Sequence, residues 1–452
     1  MTMNNKTELF ETAPLPKALM ALCVPTIISS LVTVIYNLAD TFFVGMLNDS
    51  VQTAAVTLAG TVLLAFNAVN NLFGVGVSSV ISRSIGIKNY DRAYKSSCFG
   101  FYCSVLSGIL FSIICVIAEN PLLKLLGADA ATYPATSEYM LWTVYLGAAP
   151  SILNVVLAYM VRSEGASVHA GIGTMGGCIL NIILDPIFIM PWGLGMGASG
   201  AGFATFISNC AACFYFFAFI YVKRGNTFIC INPRKFTLER DVVKEVFAVG
   251  VPAAIQNLLN VIGMAVLNKF AANYGAEVVS AMGITRKLNM VPMYAATGFS
   301  QGIMPLVGYT YAAKMYRRMK DAVKLAFKIV IPMTFAVVLL YFIGSEMLIS
   351  LFMNNETVIK YGTYFLCVMA LSLPFAAVDY VSIGVFQAQG NGKIPFVFAV
   401  LRKVILDIPI LIILNKLFMM YGLPYSQLIT EIVLAAVALV MLKKEFDKCV
   451  EQ

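Results

Sequence analysis

The sequence predicts an all-α integral membrane protein with twelve transmembrane helices. Hydrophobic residues make up 60% of its 452 residues and charged residues only 12%, and the mean hydropathy is +0.83. A soluble domain is roughly half apolar and about a quarter charged, so this chain has too little polar surface for a water-soluble globule. Its apolar runs, such as 206–222 and 329–343, are long and do not alternate as barrel strands do. Because backbone groups in lipid must be paired within the protein, these runs favour a helical bundle.

The predicted spans are numbered in chain order. They cover 18–46, 52–80, 94–118, 134–160, 168–190, 199–222, 245–271, 278–306, 321–343, 361–386, 395–416 and 421–442. The polar start, with Pro14 and Pro16 before the first apolar run, lacks the layout of a cleavable signal, so the first run is interpreted as a retained span. The ten cysteines lie mostly inside spans and are interpreted as packing residues.

Lysine and arginine concentrate in the loops after even-numbered spans and in the C-terminal tail. By the positive-inside rule this pattern places both termini in the cytoplasm, and it fits an even number of spans. The net charge of +8 is therefore explained by topology and does not indicate a nucleic-acid partner. The basic residues are Arg83, Lys88, Arg92, Lys95, Lys223, Arg224, Arg234, Lys235, Arg240, Lys244, Lys314, Arg317, Arg318, Lys320, Lys324, Lys443, Lys444 and Lys448.

The two halves of the chain resemble each other. Pro25 and Pro252 each lie early in the first span of a half, and the motif around Lys88 and Arg92 returns around Lys314 and Arg318. Six spans per half give both repeats one orientation, which predicts two pseudo-symmetric six-helix bundles around a central cavity. The predicted parts are a cytoplasmic N-terminal segment 1–17, bundles 18–222 and 245–442, a cytoplasmic linker 223–244 and a cytoplasmic tail 443–452.

Acidic side chains inside the predicted spans are costly, so each one is a candidate site residue. Tyr36 and Asp40 share one face of span 1, and Asn181 and Asp185 share one face of span 5. Both acids fall in the outer third of their spans, and Thr205 enters span 6 at similar depth. Oxygen ligands of this kind suit Na⁺ or proton exchange. The alternatives are a purely structural hydrogen-bond network among spans 1, 5 and 6, and a capping role for Asp185 beside a turn.

The second half lacks an acid at the position of Asp40, because Leu267 corresponds to it. Its candidates for lining a substrate cavity are the polar residues Gln256, Asn257, Asn260 and Asp379, together with the flexible Met293. A structural ion pair is favoured for Asp407, since Arg402 and Lys403 lie about a turn away. These differences predict that coupling depends on the first half alone.

Other motifs carry little functional signal. The glycine-rich stretch 193–202 is not a phosphate-binding loop, and no GxxxxGK[ST] motif occurs. His169 is the only histidine and is predicted to lie near a cytoplasmic loop, where a solvated role is favoured over a proton relay. No nucleophile–base grouping indicates an enzyme, and no cofactor is expected.

The chain resembles the multidrug and toxic compound extrusion (MATE) transporters, prokaryotic type, from about residue 14 to 442. The motifs that carry this resemblance are YNLADTFFVG, SRSIGIKNYDRA, RSEGAS, NIILDPIFI with GASGAGFATFIS, GFSQGIMPLVGYTYAAK and FQAQGNGKIP. The resemblance implies export of small cationic or amphipathic compounds against Na⁺ or H⁺ influx across the plasma membrane, by a protein expected to be monomeric.

The resemblance also implies a cation-coupling site. Its members in this sequence are Tyr36, Asn37, Asp40, Asn181, Asp185 and Thr205, with Asp40, Asn181 and Asp185 as Na⁺ ligands if Na⁺ is the coupling ion. The alternative is a lipid-linked oligosaccharide flippase of the same wider superfamily, for which Arg286 and Lys287 are the best headgroup ligands. A non-transporting scaffold or receptor is disfavoured by the acids at matched depth.

Overall fold

The computed structural model describes residues 3–450, and its ordered secondary structure is helical throughout. Within these residues, seven single helices are long and apolar enough to cross a membrane, and two bent pairs bring the number to nine. The seven are Leu15–Gly45, Ser50–Gly86, Tyr90–Ile117, Ser167–Ile189, Ala198–Val222, Arg240–Ala272 and Tyr316–Ser350, which form spans 1, 2, 3, 5, 6, 7 and 9. The bent pairs form span 4, Thr132–Tyr145 with Ala148–Ser163, and span 10, Glu356–Ala370 with Leu373–Ala388.

The remaining three predicted spans are helical but less uniformly apolar. Span 8 is Ala276–Ala312, a continuous helix whose apolar sequence is interrupted by Arg286 and Lys287. Span 11 is divided by a π-helical turn, Leu401–Asp407, between Lys393–Val400 and Ile408–Phe418, and span 12 is Leu423–Val450. Short helices, Glu119–Leu126, Pro233–Lys235 and Met419–Gly422, lie in the connections. The helices account for all twelve predicted spans, and we call spans 1–6 the N lobe and spans 7–12 the C lobe.

The bends in spans 4 and 10 fall at corresponding points of the two lobes. Span 4 turns by 42° beside the π-helical turn Leu141–Tyr145, and span 10 turns by 45° just before Pro374. A Cβ atom on Gly147, at the bend of span 4, would lie 2.2 Å from the Trp142 carbonyl oxygen. Prolines and π-turns remove regular helical hydrogen bonds, which explains why each helix breaks there.

The N-terminal segment is more structured than the polar stretch 1–17 suggests. It contains the helix Met3–Glu11, and span 1 begins at Leu15. Phe10 is 1% exposed and stacks on Tyr309 of the C lobe, with ring centroids 4.9 Å apart. The Tyr309 hydroxyl donates to Glu11 at 2.6 Å, and Arg318 donates to the Phe10 and Ala13 carbonyls. The segment therefore connects the lobes.

The two lobes are in contact at the end that carries the basic loops, which we call the inner end. Ser79 of span 2 donates to the Gln387 carbonyl of span 10 at 2.5 Å, and the Leu72 carbonyl lies against Gly250 of span 7. Glu245 of span 7 pairs with Arg83 at 3.1 Å and with Arg92. Among residues 3–450, every hydrogen bond between the lobes that the structure describes lies in this inner half.

Candidate functional site

The centre of the candidate site is a hydrogen-bonded trio on spans 5 and 6. Asn181 and Asp185 are 1% and 0% exposed and face span 6 from adjacent turns of span 5. With the amide oriented to satisfy both its atoms, Asn181 donates to Asp185 Oδ2 at 3.0 Å and accepts from the Thr205 backbone N–H at 3.1 Å and hydroxyl at 3.3 Å. Asn181 therefore orients the Asp185 carboxylate and joins the two helices.

Span 1 brings the second carboxylate to the same place. The Tyr36 side chain lies beside Thr205 and within electrostatic range of both Asp40 and Asp185. Asp40 and Asp185 in turn lie close enough to act on each other electrostatically. The structure thus brings together five of the residues that the sequence singled out, on spans 1, 5 and 6.

Each carboxylate has one oxygen that is shielded from solvent and lacks a hydrogen-bond donor. These atoms are Asp40 Oδ1 and Asp185 Oδ1. A buried carboxylate oxygen without a donor is costly, and either a proton or a bound cation removes that cost. The oxygen ligands available here, from two carboxylates, an amide and a hydroxyl, are chemically suited to a hard cation such as Na⁺. Within residues 3–450, no cluster of three or more histidine, cysteine or acidic side chains is arranged to hold a metal ion, so neutral oxygens would have to complete such a site.

Two neighbours of this cluster were not identified from the sequence. Tyr139, 3% exposed on span 4, lies within electrostatic range of Asp40, Tyr36 and Asp185. Cys178 of span 5 lies near Tyr36 and contacts the Thr33 hydroxyl at 3.8 Å. Tyr139 precedes the π-helical turn of span 4, so its orientation depends on a helix irregularity that apolar periodicity does not reveal.

Asn37 is placed differently from its predicted partners. It is exposed, and its amide donates to the carbonyl of Thr33 one turn earlier on the same helix, at 2.8 Å. Asn37 lies about 100° around the helix from Tyr36, and although it is three residues before Asp40, its amide is engaged by the Thr33 carbonyl. Its predicted membership in the coupling cluster has no supporting contact among the described residues.

The C lobe contains a second buried charge cluster, on spans 10, 11 and 12. Arg402 pairs with Asp379 and, at 3.1 Å, with Glu431, and all three side chains are at most 5% exposed. The Arg402 guanidinium also lies 5.0 Å from the centre of the Tyr380 ring. Asp379 was predicted to line the substrate cavity, but it is fully buried and neutralised by Arg402. The sequence did not indicate Glu431 as a partner.

The other residues proposed for the substrate cavity are neutral and partly exposed. Gln256, Asn257 and Asn260 lie within five residues of span 7, and the Asn257 amide donates to the Ala253 carbonyl at 3.1 Å. Met293 packs beside the buried cluster that includes Tyr341. The predicted ion pair at Asp407 is present, with Lys403 at 2.7 Å. His169 Nδ1 lies 3.0 Å from the Tyr215 hydroxyl, so this histidine has a specific partner within the N lobe.

Comparisons with known proteins agree with this architecture. A family model described as MatE matches residues 25–187 and 252–413, once in each half of the chain. The multidrug export protein MepA of Staphylococcus aureus (strain MRSA252) is 31% identical over 433 residues, covering 96% of this chain and 94% of that protein. MepA of Staphylococcus saprophyticus is also 31% identical, over 432 residues, with the same coverage of both chains.

Solved structures show the same fold. An outward-facing structure of a multidrug resistance MATE family transporter of the MOP superfamily superposes with a TM-score of 0.94. The two chains are 24% identical, and the match covers 100% of each. The relatives and the solved structures are named as transporters and export proteins, not as enzymes.

Proposed function

This chain belongs to the MatE family of multi-pass membrane proteins, and we propose that it is a cation-coupled antiporter that exports small organic compounds across the plasma membrane. The observation that carries this proposal is the pair of carboxylates on spans 1 and 5, each with a buried oxygen that lacks a donor. The relatives named as multidrug export proteins support a broad, drug-like substrate class.

The coupling site consists of Asp40 and Asp185, with Asn181, Thr205 and Tyr36 holding them in position. Na⁺ or H⁺ entering from outside would neutralise the carboxylates, and a cationic substrate would compete for the same negative charge. Asn181 keeps Asp185 Oδ2 hydrogen-bonded, which leaves Oδ1 to receive the ion. A coupling ion shifts the populations of two conformations only if it binds one of them more tightly than the other.

The contacts between the lobes at the inner end agree with entry of the coupling ion from outside. The lobes meet at the inner end, through Ser79 and Gln387 and through Glu245 with its two arginines. The carboxylate pair lies in the opposite half of the N lobe, away from these contacts. Rocking the lobes would close the outer half and separate the inner contacts, which releases the ion to the cytoplasm.

The C lobe is assigned no coupling role in this proposal. Asp379 also has a buried oxygen without a donor, but Arg402, a fixed cation of the protein itself, pairs with both Asp379 and Glu431 and balances one of their two negative charges. The flippase alternative has less support, because the partly buried Arg286 already donates to Asn268 at 2.9 Å.

The test uses purified protein in lipid vesicles with a fluorescent organic cation as substrate. A Na⁺ gradient and a pH gradient are imposed separately, and the gradient that drives efflux identifies the coupling ion. Asp40→Asn and Asp185→Asn should each abolish gradient-driven efflux. The matched control is Asp49→Asn, because Asp49 caps the helix that begins at Ser50 and asparagine caps equally well. Efflux that responds to neither gradient, or that survives both substitutions, contradicts the proposal.

A further inference from the structure

Arg162 is a buried cation without an acidic partner. It lies at the inner end of span 4 and is 6% exposed. Its Nη1 donates to Gln301 Oε1 of span 8 at 3.0 Å, and its guanidinium carbon lies 5.3 Å from the centre of the Tyr159 ring. Its Nε atom is buried without a hydrogen-bond acceptor. Among residues 3–450, the structure describes no carboxylate in an ion pair with it.

The groups around Arg162 offset its charge only in part. The helix Ala148–Ser163 ends beside it and the helix Leu373–Ala388 ends at the same cavity, and each C-terminus carries about half a negative charge. These partial charges are spread over several carbonyls, and Gln301 and the Tyr159 ring are neutral. Burying a full charge without a partner of opposite sign costs several kcal/mol, so a compensating anion is expected.

A small cavity borders the guanidinium, in the closed interface between the lobes. Its volume is about 10 Å³, which is enough for one water-sized species. A chloride ion has roughly twice the volume of a water molecule, so the cavity must widen to hold it, and the flexible side chain of Met304 in its wall can move for this. The remaining lining includes no acidic residue and consists of Ser78, Ser79, Ser82, Tyr159, Ser163, Pro305 and Ala388.

We propose that this cavity is a binding site for one small inorganic anion of the chloride type. The anion accepts from Arg162 Nε, which has no other acceptor. The four serine hydroxyls in the cavity wall already donate to backbone carbonyls, so the guanidinium supplies the attraction. The lining comes from spans 2, 4, 8 and 10, so the site is complete only while the lobes are closed at the inner end. By mass action, the anion therefore stabilises the closed inner end relative to the open one.

The direct test is diffraction from crystals of the full-length protein in which bromide replaces chloride. An anomalous peak within hydrogen-bond distance of Arg162 Nε is expected at the bromine absorption edge. Water density at that position without anomalous signal, in crystals with the inner end closed, would overturn the proposal. This measurement uses the unmodified chain, so it does not depend on the folding of a variant.

A second test measures thermal unfolding in detergent with chloride replaced by gluconate at constant Na⁺. Chloride should raise the Tm of the unmodified protein by about 1–3 °C at saturating concentration. Arg162→Gln should lose this dependence, whereas Arg286→Gln should retain it, because Arg286 also donates to an amide oxygen but lies away from the cavity. An equal chloride effect in Arg162→Gln, or none in the unmodified protein, contradicts the assignment.

Discussion

Asn181 donates to Asp185 Oδ2 at 3.0 Å from one turn earlier on span 5, while its oxygen accepts from Thr205 on span 6. One amide thereby fixes one oxygen of the carboxylate and leaves the other, Oδ1, without a donor in a buried position. A carboxylate held in this way is ready to bind a proton or a cation without rearrangement, which is the physical requirement for a coupling site.

Asp40→Asn is expected to abolish gradient-driven efflux while the protein remains folded and inserted. Asparagine has nearly the same shape but cannot take up a proton and does not carry the charge that attracts Na⁺. Cells that express the variant should be as sensitive to a toxic organic cation as cells without the transporter. Full resistance at normal expression would remove Asp40 from the mechanism.

Asn181→Ala should lower the efflux rate roughly 10-fold, because it removes a hydrogen bond to a charged group that contributes about 1.5 kcal/mol. Asn37→Ala is the matched control. Its amide is bound to the Thr33 carbonyl of its own helix, so efflux should remain near the unmodified rate. The vesicle assay with the fluorescent cation measures both, and a stronger defect in Asn37→Ala would place that residue in the site after all.

Arg402→Met should destabilise the protein by about 3–5 kcal/mol, because it leaves Asp379 and Glu431 buried without a cation. Asp379→Asn should be milder, since Arg402 keeps Glu431 as a partner, and efflux should continue. Thermal unfolding and vesicle efflux of the two variants provide the comparison. If Asp379→Asn stops efflux as completely as Asp40→Asn, the assignment of coupling to the N lobe alone is wrong.

Glu245→Gln should weaken the inner closure. Arg83 and Arg92 lose their shared partner and then repel each other, and a partly exposed network of this kind contributes on the order of 1 kcal/mol. Ser79, 1% exposed in the closed interface, provides the reporter. The substitution Ser79→Cys should react with maleimide about 5-fold faster when Glu245→Gln is also present than when Glu245 is retained, as quantified by mass spectrometry.

The control for Glu245 is Glu239→Gln, which removes the more exposed pair with Lys95. That pair should contribute little, and the labelling rate should change less than 2-fold or so. High salt should reproduce part of the Glu245→Gln effect in the unmodified protein, because screening weakens the same interactions. Equal rates in all three proteins would show that the ion pairs do not hold the lobes together.

Phe10→Ala should lower the unfolding free energy by about 3 kcal/mol, because it removes a buried ring that stacks on Tyr309. Phe42→Ala is the control, since that ring is 62% exposed at the outer end of span 1 and should contribute little. Thermal unfolding of both variants tests whether the N-terminal helix is part of the packed core. A Tm equal to that of the unmodified protein would show that the helix is only loosely associated.

The sequence by itself determined the membrane class, the number of spans and five residues of the carboxylate cluster. Hydropathy and helical periodicity act along the chain, so composition and spacing suffice to place Tyr36 with Asp40 and Asn181 with Asp185 on common helix faces. The orientation of the termini, the domain boundaries and the identity of the coupling ion remain predictions from the same patterns.

The tertiary structure decided which helices meet and how their polar groups pair. Arg402 was expected near Asp407, but the π-helical turn of span 11 directs it to Asp379 and Glu431 on two other spans. Tyr139, Phe10 and Arg162 likewise acquire their roles from contacts between elements distant in sequence. A pattern within one helix specifies which face is polar. The partner that neutralises a buried group is selected only when the helices pack, because electrostatic and hydrogen-bond energies depend on distances between different helices, which the sequence of one helix does not determine.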